Sequence, residues 1–350
     1  MTTYHLRVHR NVIDTRGFYH TGYDLVTYHD NGSITIQTID VGSVGGWSPT
    51  GNWNIKLEIS TPKEAQIYKT KRGMILWGTT HFDGTVVTKK WLNSRKAKAI
   101  IIDASDRAVD VFNQIKFNAL IMNALESTYE GFLDYDLEGP NCNTWTRYIA
   151  NTYLNQLDVF SLLGTDPSGL AYTGLDNDLL TSNTSEENKK AVMVSEVSAA
   201  FLTYIEEHEP NFDLGALTAE NISFGISNDG LLYNGYVLNI AMPEKYYIIG
   251  GGVDDAVNFL DPNKECIVIT GGGNDTITGG LGNDKLYGGV GNDTYIFGAS
   301  HGQDTVIDEA GTDTLTFQGL EASRYRSVVS DGKTVYFTYK TKEDISLLEA

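Results

Sequence analysis

The 350-residue chain contains only two cysteines, Cys142 and Cys266, so no disulfide framework holds it together. A single Cys142–Cys266 bridge is the one pairing open to it. Basic residues are also scarce: 26 Lys and Arg stand against 45 Asp and Glu, a net charge of −19. Such an acidic chain is a poor partner for nucleic acid or an anionic membrane surface. No apolar run approaches the roughly 20 residues that a membrane span needs. The opening residues, Met-Thr-Thr-Tyr-His-Leu-Arg-Val-His-Arg, have neither an apolar core nor a small-residue cleavage site, so they do not form a Sec-type signal. No group of Cys and His has zinc-ligand spacing.

Glycine is plentiful, with 36 residues, and its densest run is ordered. From Thr270 to Ile296 the chain repeats one nine-residue unit three times: Thr-Gly-Gly-Gly-Asn-Asp-Thr-Ile-Thr, Gly-Gly-Leu-Gly-Asn-Asp-Lys-Leu-Tyr, Gly-Gly-Val-Gly-Asn-Asp-Thr-Tyr-Ile. This is the nonapeptide pattern of calcium-binding β-helices. Asp275, Asp284 and Asp293 recur in phase, and Ile277, Leu286 and Tyr295 follow two residues later, where a short strand points inward. If one coil takes two repeats, Asp275 and Asp293 stack on one side and Asp284 lies on the other. The glycines turn the chain through positive φ and bring carbonyl oxygens together. Carboxylates and carbonyls in such turns make an all-oxygen cage, which suits several Ca²⁺ ions. The expected ligand positions are Gly271, Gly273, Asp275, Gly280, Gly282, Asp284, Gly289, Gly291 and Asp293. A flexible linker would not keep an Asp and an apolar residue in a nine-residue phase.

This stretch resembles the RTX repeats of proteins exported by bacterial type I secretion. Phe297 to Ile307 and Gly311 to Phe317 resemble the degenerate coils that close such a roll, adding Asp304 and Asp313 to the expected ligands. Gly250 to Asp255 resembles a worn first repeat, although its spacing to Asp275 is not a multiple of nine. The resemblance implies an extracellular protein, the type I machinery as partner, and an export address at the C-terminal end.

The first 160 residues read as α+β. Residues 4–9, 17–28 and 33–41 alternate as strands, with a hairpin turn at His29-Asp-Asn-Gly32. Residues 42–54 read as a loop; Asn54–Ile59 and Gly73–Trp77 are further strands. From Ser105 to Leu125 the period becomes helical, with Ser105 as cap. A second helix follows Gly-Pro-Asn141-Cys142, with Trp145, Ile149 and Leu157 on its apolar face. Cys142 in its first turn would meet free N–H groups that favour a thiolate. A small buried core residue is the alternative reading.

His20 on a predicted strand, followed much later by Asn-Cys-Asn-x-aromatic at a helix start, resembles the permuted papain-fold cysteine hydrolases: the PPPDE peptidases and their LRAT-like and NlpC-type relatives. The resemblance implies a papain-like, circularly permuted domain over residues 1–165, with Cys142 as nucleophile, His20 as base and Asn141 beside the oxyanion. Gln37 or Asp40 would orient the imidazole across the hairpin. His81 is the rival base, whereas His5, His9, His29 and His208 show no constellation around them. The implied substrates are peptide or isopeptide bonds, peptidoglycan stem peptides, or an acyl chain. A non-enzymatic calcium-dependent adhesin is the competing class.

Residues 166–248 read as an extension or connector, with a helix over 185–208 and short strands over 222–249. Residues 249–350 then form an all-β parallel β-roll, ending in a hairpin near 328–339 that covers its open end.

Overall fold

The computed structural model describes residues 1–12, 19–40, 42–43, 53–56, 68–69, 75–76, 85–87, 98–128, 134–135, 142–154, 185–226, 236–258, 264–298, 301–319, 325–330 and 334–339. The chain divides into two compact units, one of Met1–Lys189 with Asp213–Ala219, the other of Lys190–Phe212 with Glu220–Ala350.

The first unit is mixed α/β. Its strands are β1 (Thr3–Val12), β2 (Tyr19–Tyr28), β3 (Ile34–Asp40), β4 (Gly42–Ser43), β5 (Trp53–Lys56), β6 (Tyr68–Lys69), β7 (Ile75–Leu76), β8 (Thr85–Val87), β9 (Lys98–Asp103) and β10 (Asp134–Tyr135). The five-stranded sheet has the order β8-β3-β2-β1-β9. The β2–β3 hairpin turns where Asn31 and Gly32 predict it: Gly32 has φ +82°, and Asn31 Oδ1 accepts from the Ser33 N–H and hydroxyl. Strand β9 was not expected. Its Ala-Ile-Ile-Ile core is a short apolar run without alternation, and it pairs antiparallel with β1 at the sheet edge.

Helix α1 (Arg107–Thr128) follows, and α2 (Cys142–Tyr153) begins at the predicted cysteine. The expected cap of α1 is corrected by its geometry. The Ser105 hydroxyl donates to Asp103 Oδ1 at 2.6 Å, so it closes a turn ahead of the helix instead of capping it. These hydrogen bonds from Ser105 hold the Asp103 carboxyl below its ordinary pKa. Every side chain from Phe117 to Met122 is buried, Asn118 included, so α1 runs through the core of its unit instead of lying on it with one apolar stripe.

The second unit contains α3 (Ser185–His208, with its first residues in the first unit), β11 (Ile222–Ile226), β12 (Tyr236–Ala241), β13 (Lys245–Ile249), β14 (Ala256–Asn258), β15 (Glu265–Ile269), β16 (Thr276–Thr278), β17 (Lys285–Tyr287), β18 (Thr294–Phe297), β19 (Thr305–Ile307), β20 (Thr314–Phe317), β21 (Tyr325–Ser330) and β22 (Thr334–Tyr339). From β13 to β20 successive strands alternate between two sheets, and each pairs in parallel with the strand one coil on. This is a parallel β-solenoid of the roll type. Val257, Ile277 and Tyr295 stack in one inward column, and Ile248, Val268, Leu286 and Val306 in the other, within a single buried cluster. The two columns touch because every second residue of each short strand points inward.

The larger sheet continues beyond the repeats at both ends. Upstream it runs through β12 to β11, and downstream the β21–β22 hairpin pairs antiparallel with β19. Helix α3 packs Val197, Phe201, Tyr204 and Ile205, spaced i, i+4, i+7 and i+8, into the unit. Phe201 stands edge-on to Tyr247 at 5.3 Å between centroids, and Tyr204 edge-on to Tyr287 at 5.6 Å. At its end Glu209 accepts from the Tyr247 hydroxyl at 2.7 Å and pairs with Lys245 at 2.9 Å.

Candidate functional site

The conserved phase of the repeats becomes two columns of stacked carboxylates along the turns of the roll. On one edge Asp255, Asp275, Asp293 and Asp313 stand one above another. The Asp255 N–H donates to Asp275 Oδ1 at 2.7 Å, Asp275 N–H to Asp293 Oδ1 at 2.8 Å, and Asp293 N–H to Asp313 Oδ1 at 3.0 Å. On the other edge the Cys266 N–H donates to Asp284 Oδ1 at 2.8 Å, and Asp284 N–H to Asp304 Oδ1 at 3.0 Å. One oxygen of Asp275, Asp284, Asp293, Asp304 and Asp313 therefore ties a coil to its neighbour, while Asp255 Oδ2 accepts from the Gly251 N–H in its own turn. A parallel ladder joins the residue before each aspartate: Asn292 N–H to Asn274 Oδ1 at 3.0 Å and Thr312 N–H to Asn292 Oδ1 at 2.9 Å.

The second oxygens are left over. Asp255 Oδ1, Asp275 Oδ2, Asp284 Oδ2 and Asp293 Oδ2 are buried without a hydrogen-bond donor. Burial pushes the carboxyl pKa of Asp275 up to about 6 and those of Asp255 and Asp284 up to about 7, with stacked neighbouring carboxylates adding to the rise; Asp293 and Asp304 are raised for the same first reason. An unsatisfied buried carboxylate oxygen costs about 1–3 kcal/mol or more. An oxygen-seeking cation removes that cost at each coil, and the donors are all oxygens, as Ca²⁺ requires.

The glycines are where the turns leave no room. Gly289 has φ +96°, and a side-chain carbon there would run into the Gly271 carbonyl oxygen, which accepts the Val290 N–H at 2.8 Å. Gly271, Gly273, Gly280 and Gly291 also have positive φ, whereas Gly282 meets the Lys264 carbonyl and the Asp284 carboxylate. Gly289→Ala is therefore expected to block coil closure. A calcium titration followed by circular dichroism should show its β-signal midpoint raised at least about tenfold, and an unchanged midpoint would refute the packing argument.

Two stack members were not among the predicted ligands. Asp255 joins the first column across 20 residues, where the perfect repeats space the column by 18. Asp308 sits beside Asp293 and Asp313. The signal that would have found them is a coil of 20 residues, two nonapeptides plus two, which also separates Asp284 from Asp304 and Asp293 from Asp313. At the far end of the second column His301 Nδ1 lies 2.7 Å from Asp304 Oδ2, both side chains buried.

In the first unit, α2 starts at Cys142 and docks on β2. Thr21 Oγ1 lies 2.9 Å from both Asn143 Oδ1 and Thr146 Oγ1, and the Tyr23 hydroxyl donates to the Thr146 carbonyl at 2.7 Å. Trp145 is wholly buried and meets Tyr23 edge-on at 5.7 Å. Thus the residues next to His20 and next to Cys142 are bonded to each other. The side chains of His20, Cys142 and Asp40, and all of Asn141 and His81, lie outside the described residues. Gln37 stands opposite Leu25, five positions along β2 from His20, or about 16 Å at strand rise, so the sheet does not bring it to that histidine. Asp40 pairs with Gly22, two positions away.

His9, read from sequence as isolated, is buried in an ionic group. Its Nδ1 lies 3.2 Å from Asp24 Oδ1, Arg7 Nη2 donates to Asp24 Oδ2 at 2.7 Å, and Thr38 donates to Asp24 Oδ1 at 2.7 Å. Three strands bring these residues together from three sequence regions, which no local motif announces. Cys266 is wholly buried in the core of the roll and forms no disulfide, so the Cys142–Cys266 bridge that the sequence leaves open is not made.

Stacked aspartates, glycine turns and a two-sheet solenoid define a calcium-binding parallel β-roll. Residues 269–303 match the RTX calcium-binding nonapeptide repeat in four copies, and these repeats bind calcium ions. No curated protein and no solved structure matches the chain. RTX repeats are typical of secreted proteins. Among the described residues no helix is long and apolar enough to cross a membrane.

Proposed function

We propose that this is a secreted bacterial Cys-His hydrolase acting on an amide bond, with a roll that folds when it meets calcium outside the cell. The observation that carries the enzymatic half is the docking of a helix beginning at Cys142 onto β2, through Thr21, Asn143 and Thr146, one residue from His20. A thiol in the first turn of a helix sits among free N–H groups, which favour the thiolate and can hold an oxyanion. Cys142 would attack the carbonyl carbon and form a thioester while the amine leaves. His20 would take the thiol proton and pass it to that amine, and water would then release the acid. Peptide, isopeptide or peptidoglycan stem bonds fit this chemistry.

The pairing makes a specific demand on β2. Thr21 and Tyr23 bond to α2 whereas Asp24 belongs to the alternate register, which position 20 shares. The strand must therefore twist at its first residues for His20 to serve Cys142. Iodoacetamide labelling of the calcium-loaded chain near pH 6 tests the thiolate directly. Rapid labelling at Cys142, with turnover of a peptide or peptidoglycan substrate reduced about a thousandfold or more in both Cys142→Ala and His20→Ala, is the expected result. An inert Cys142 would sink the enzyme and favour a calcium-dependent adhesin built on the same roll.

A further inference from the structure

The nonapeptide match ends at residue 303, yet the stack of oxygens continues past it. In the last coil the register pairs Tyr287 with Ile307, so Asp308 takes the place that Gly288 holds one coil earlier. A carboxylate thus stands where the repeats have a bare glycine. Asp293, Asp308 and Asp313 each bring an oxygen into one group whose members all lie within 4.8 Å of one another. Asp293 is wholly buried, and its Oδ2 has no hydrogen-bond donor. A side-chain carbon built on Gly288 would meet Asp293 Oδ2 and Asp308 Oδ2 together, so these two oxygens converge over that glycine. The Tyr295 hydroxyl donates to Asp308 Oδ2 at 2.5 Å and fixes its carboxylate, while Asp308 Oδ1 is buried and without a donor.

We propose that Asp293, Asp308 and Asp313 form a three-carboxylate cation site in the last turn of the roll, where Asp308 adds to the stacked Asp293 and Asp313 a carboxylate that the glycine repeats lack. Two considerations set its character. An interior turn offers two stacked aspartates and otherwise neutral carbonyls, whereas this one offers three carboxylates. Calcium affinity rises with the charge of the ligand set and with the rigidity of the site, and here the Tyr295 hydrogen bond supplies rigidity. The site therefore fills before the interior turns, and it favours trivalent lanthanides over Ca²⁺ more strongly than they do.

The full chain carries the test, with Ca²⁺ followed by calorimetry and Tb³⁺ by luminescence excited through tyrosine. In the unmodified chain the first equivalent of Tb³⁺ should be sensitised by Tyr295, and Tyr295→Phe should remove most of that first-equivalent signal. Asp308→Asn should weaken the tightest class of Ca²⁺ binding by at least about tenfold and leave the remaining sites intact. Asp308→Gly gives the last coil the residue the repeats use at this place. Its roll should fold in saturating calcium, and its tightest site should fall to the affinity of the interior turns. The proposal is overturned if Asp308→Gly binds as tightly as the unmodified chain, or if the first Tb³⁺ is not sensitised through Tyr295. Complete absence of calcium binding in the unmodified chain would instead strike at the reading of the repeats themselves.

Discussion

Stripped of calcium at neutral pH, the roll is expected to unfold while the α/β unit keeps its helices. The reason lies in the division of labour within each aspartate. Oδ1 of Asp275, Asp284 and Asp293 accepts a coil-to-coil hydrogen bond, and Oδ2 of each is buried without a donor. Without a cation, every closed coil buries such an oxygen beside another carboxylate, and it must also order glycines that lose more entropy on folding than other residues. The apolar columns are thin, one inward side chain per short strand, and cannot offset this alone. EDTA should therefore abolish the β-signal of the residues beyond about 250 and expose them to protease, and millimolar Ca²⁺ should restore both. Mg²⁺ should not, since it demands tighter octahedral geometry and gives up its waters reluctantly. A chelated chain that stays protease-resistant over this region would defeat the coupling of ion and fold.

The second large effect is an inversion with pH. Burial raises the folded-state pKa of Asp275 to about 6 and of Asp255 and Asp284 to about 7, above the unfolded value of 3.8. A carboxyl group raised on folding binds its proton more tightly in the folded state. Its contribution to the ion-free roll is thus fully present below the unfolded pKa and is lost as pH rises through about 6 to 7. In EDTA the roll should gain structure as the solution is acidified from about pH 8 toward about pH 5. With calcium present the sign reverses, because protons compete for the oxygens that hold the ion, and the calcium midpoint should rise over the same window. Circular dichroism across pH, with and without calcium, separates the two limbs. A chelated chain whose β-signal is flat or falls on acidification would show that carboxylate charge does not govern folding.

How much of this was legible in the sequence follows from the range of each interaction. The nine-residue register of Asp275, Asp284 and Asp293 is local and periodic, and the two-repeat coil it implied is the one observed. The helix at Cys142, the helix over 185–208 and the hairpin at Gly32 were likewise written in local apolar spacing and turn residues. Asp255 and Asp308 escaped because two inserted residues break the nine-residue phase but cost the coil nothing: the stack depends on which residues face each other, not on their count. Strand β9 and the Arg7–His9–Asp24–Thr38 group escaped for another reason. Their partners meet only through sheet pairing, and no spacing along the chain encodes it. A base for the proposed Cys142 nucleophile would be placed in the same way, since a strand's register decides which of its residues can approach a helix end.

The coil length has a mechanical consequence. Neighbouring turns of the stack are 18 or 20 residues apart in the chain. Drawn out straight, that much chain spans about 60–70 Å, whereas a closed coil adds only about 4.8 Å to the height of the stack. Each coil that closes around its ion therefore takes in more than about 50 Å of slack. A thread emerging through a narrow passage into a calcium-rich medium would be wound in by such steps and held from slipping back. Pulled hard enough, it would pay out again in lengths of the same size.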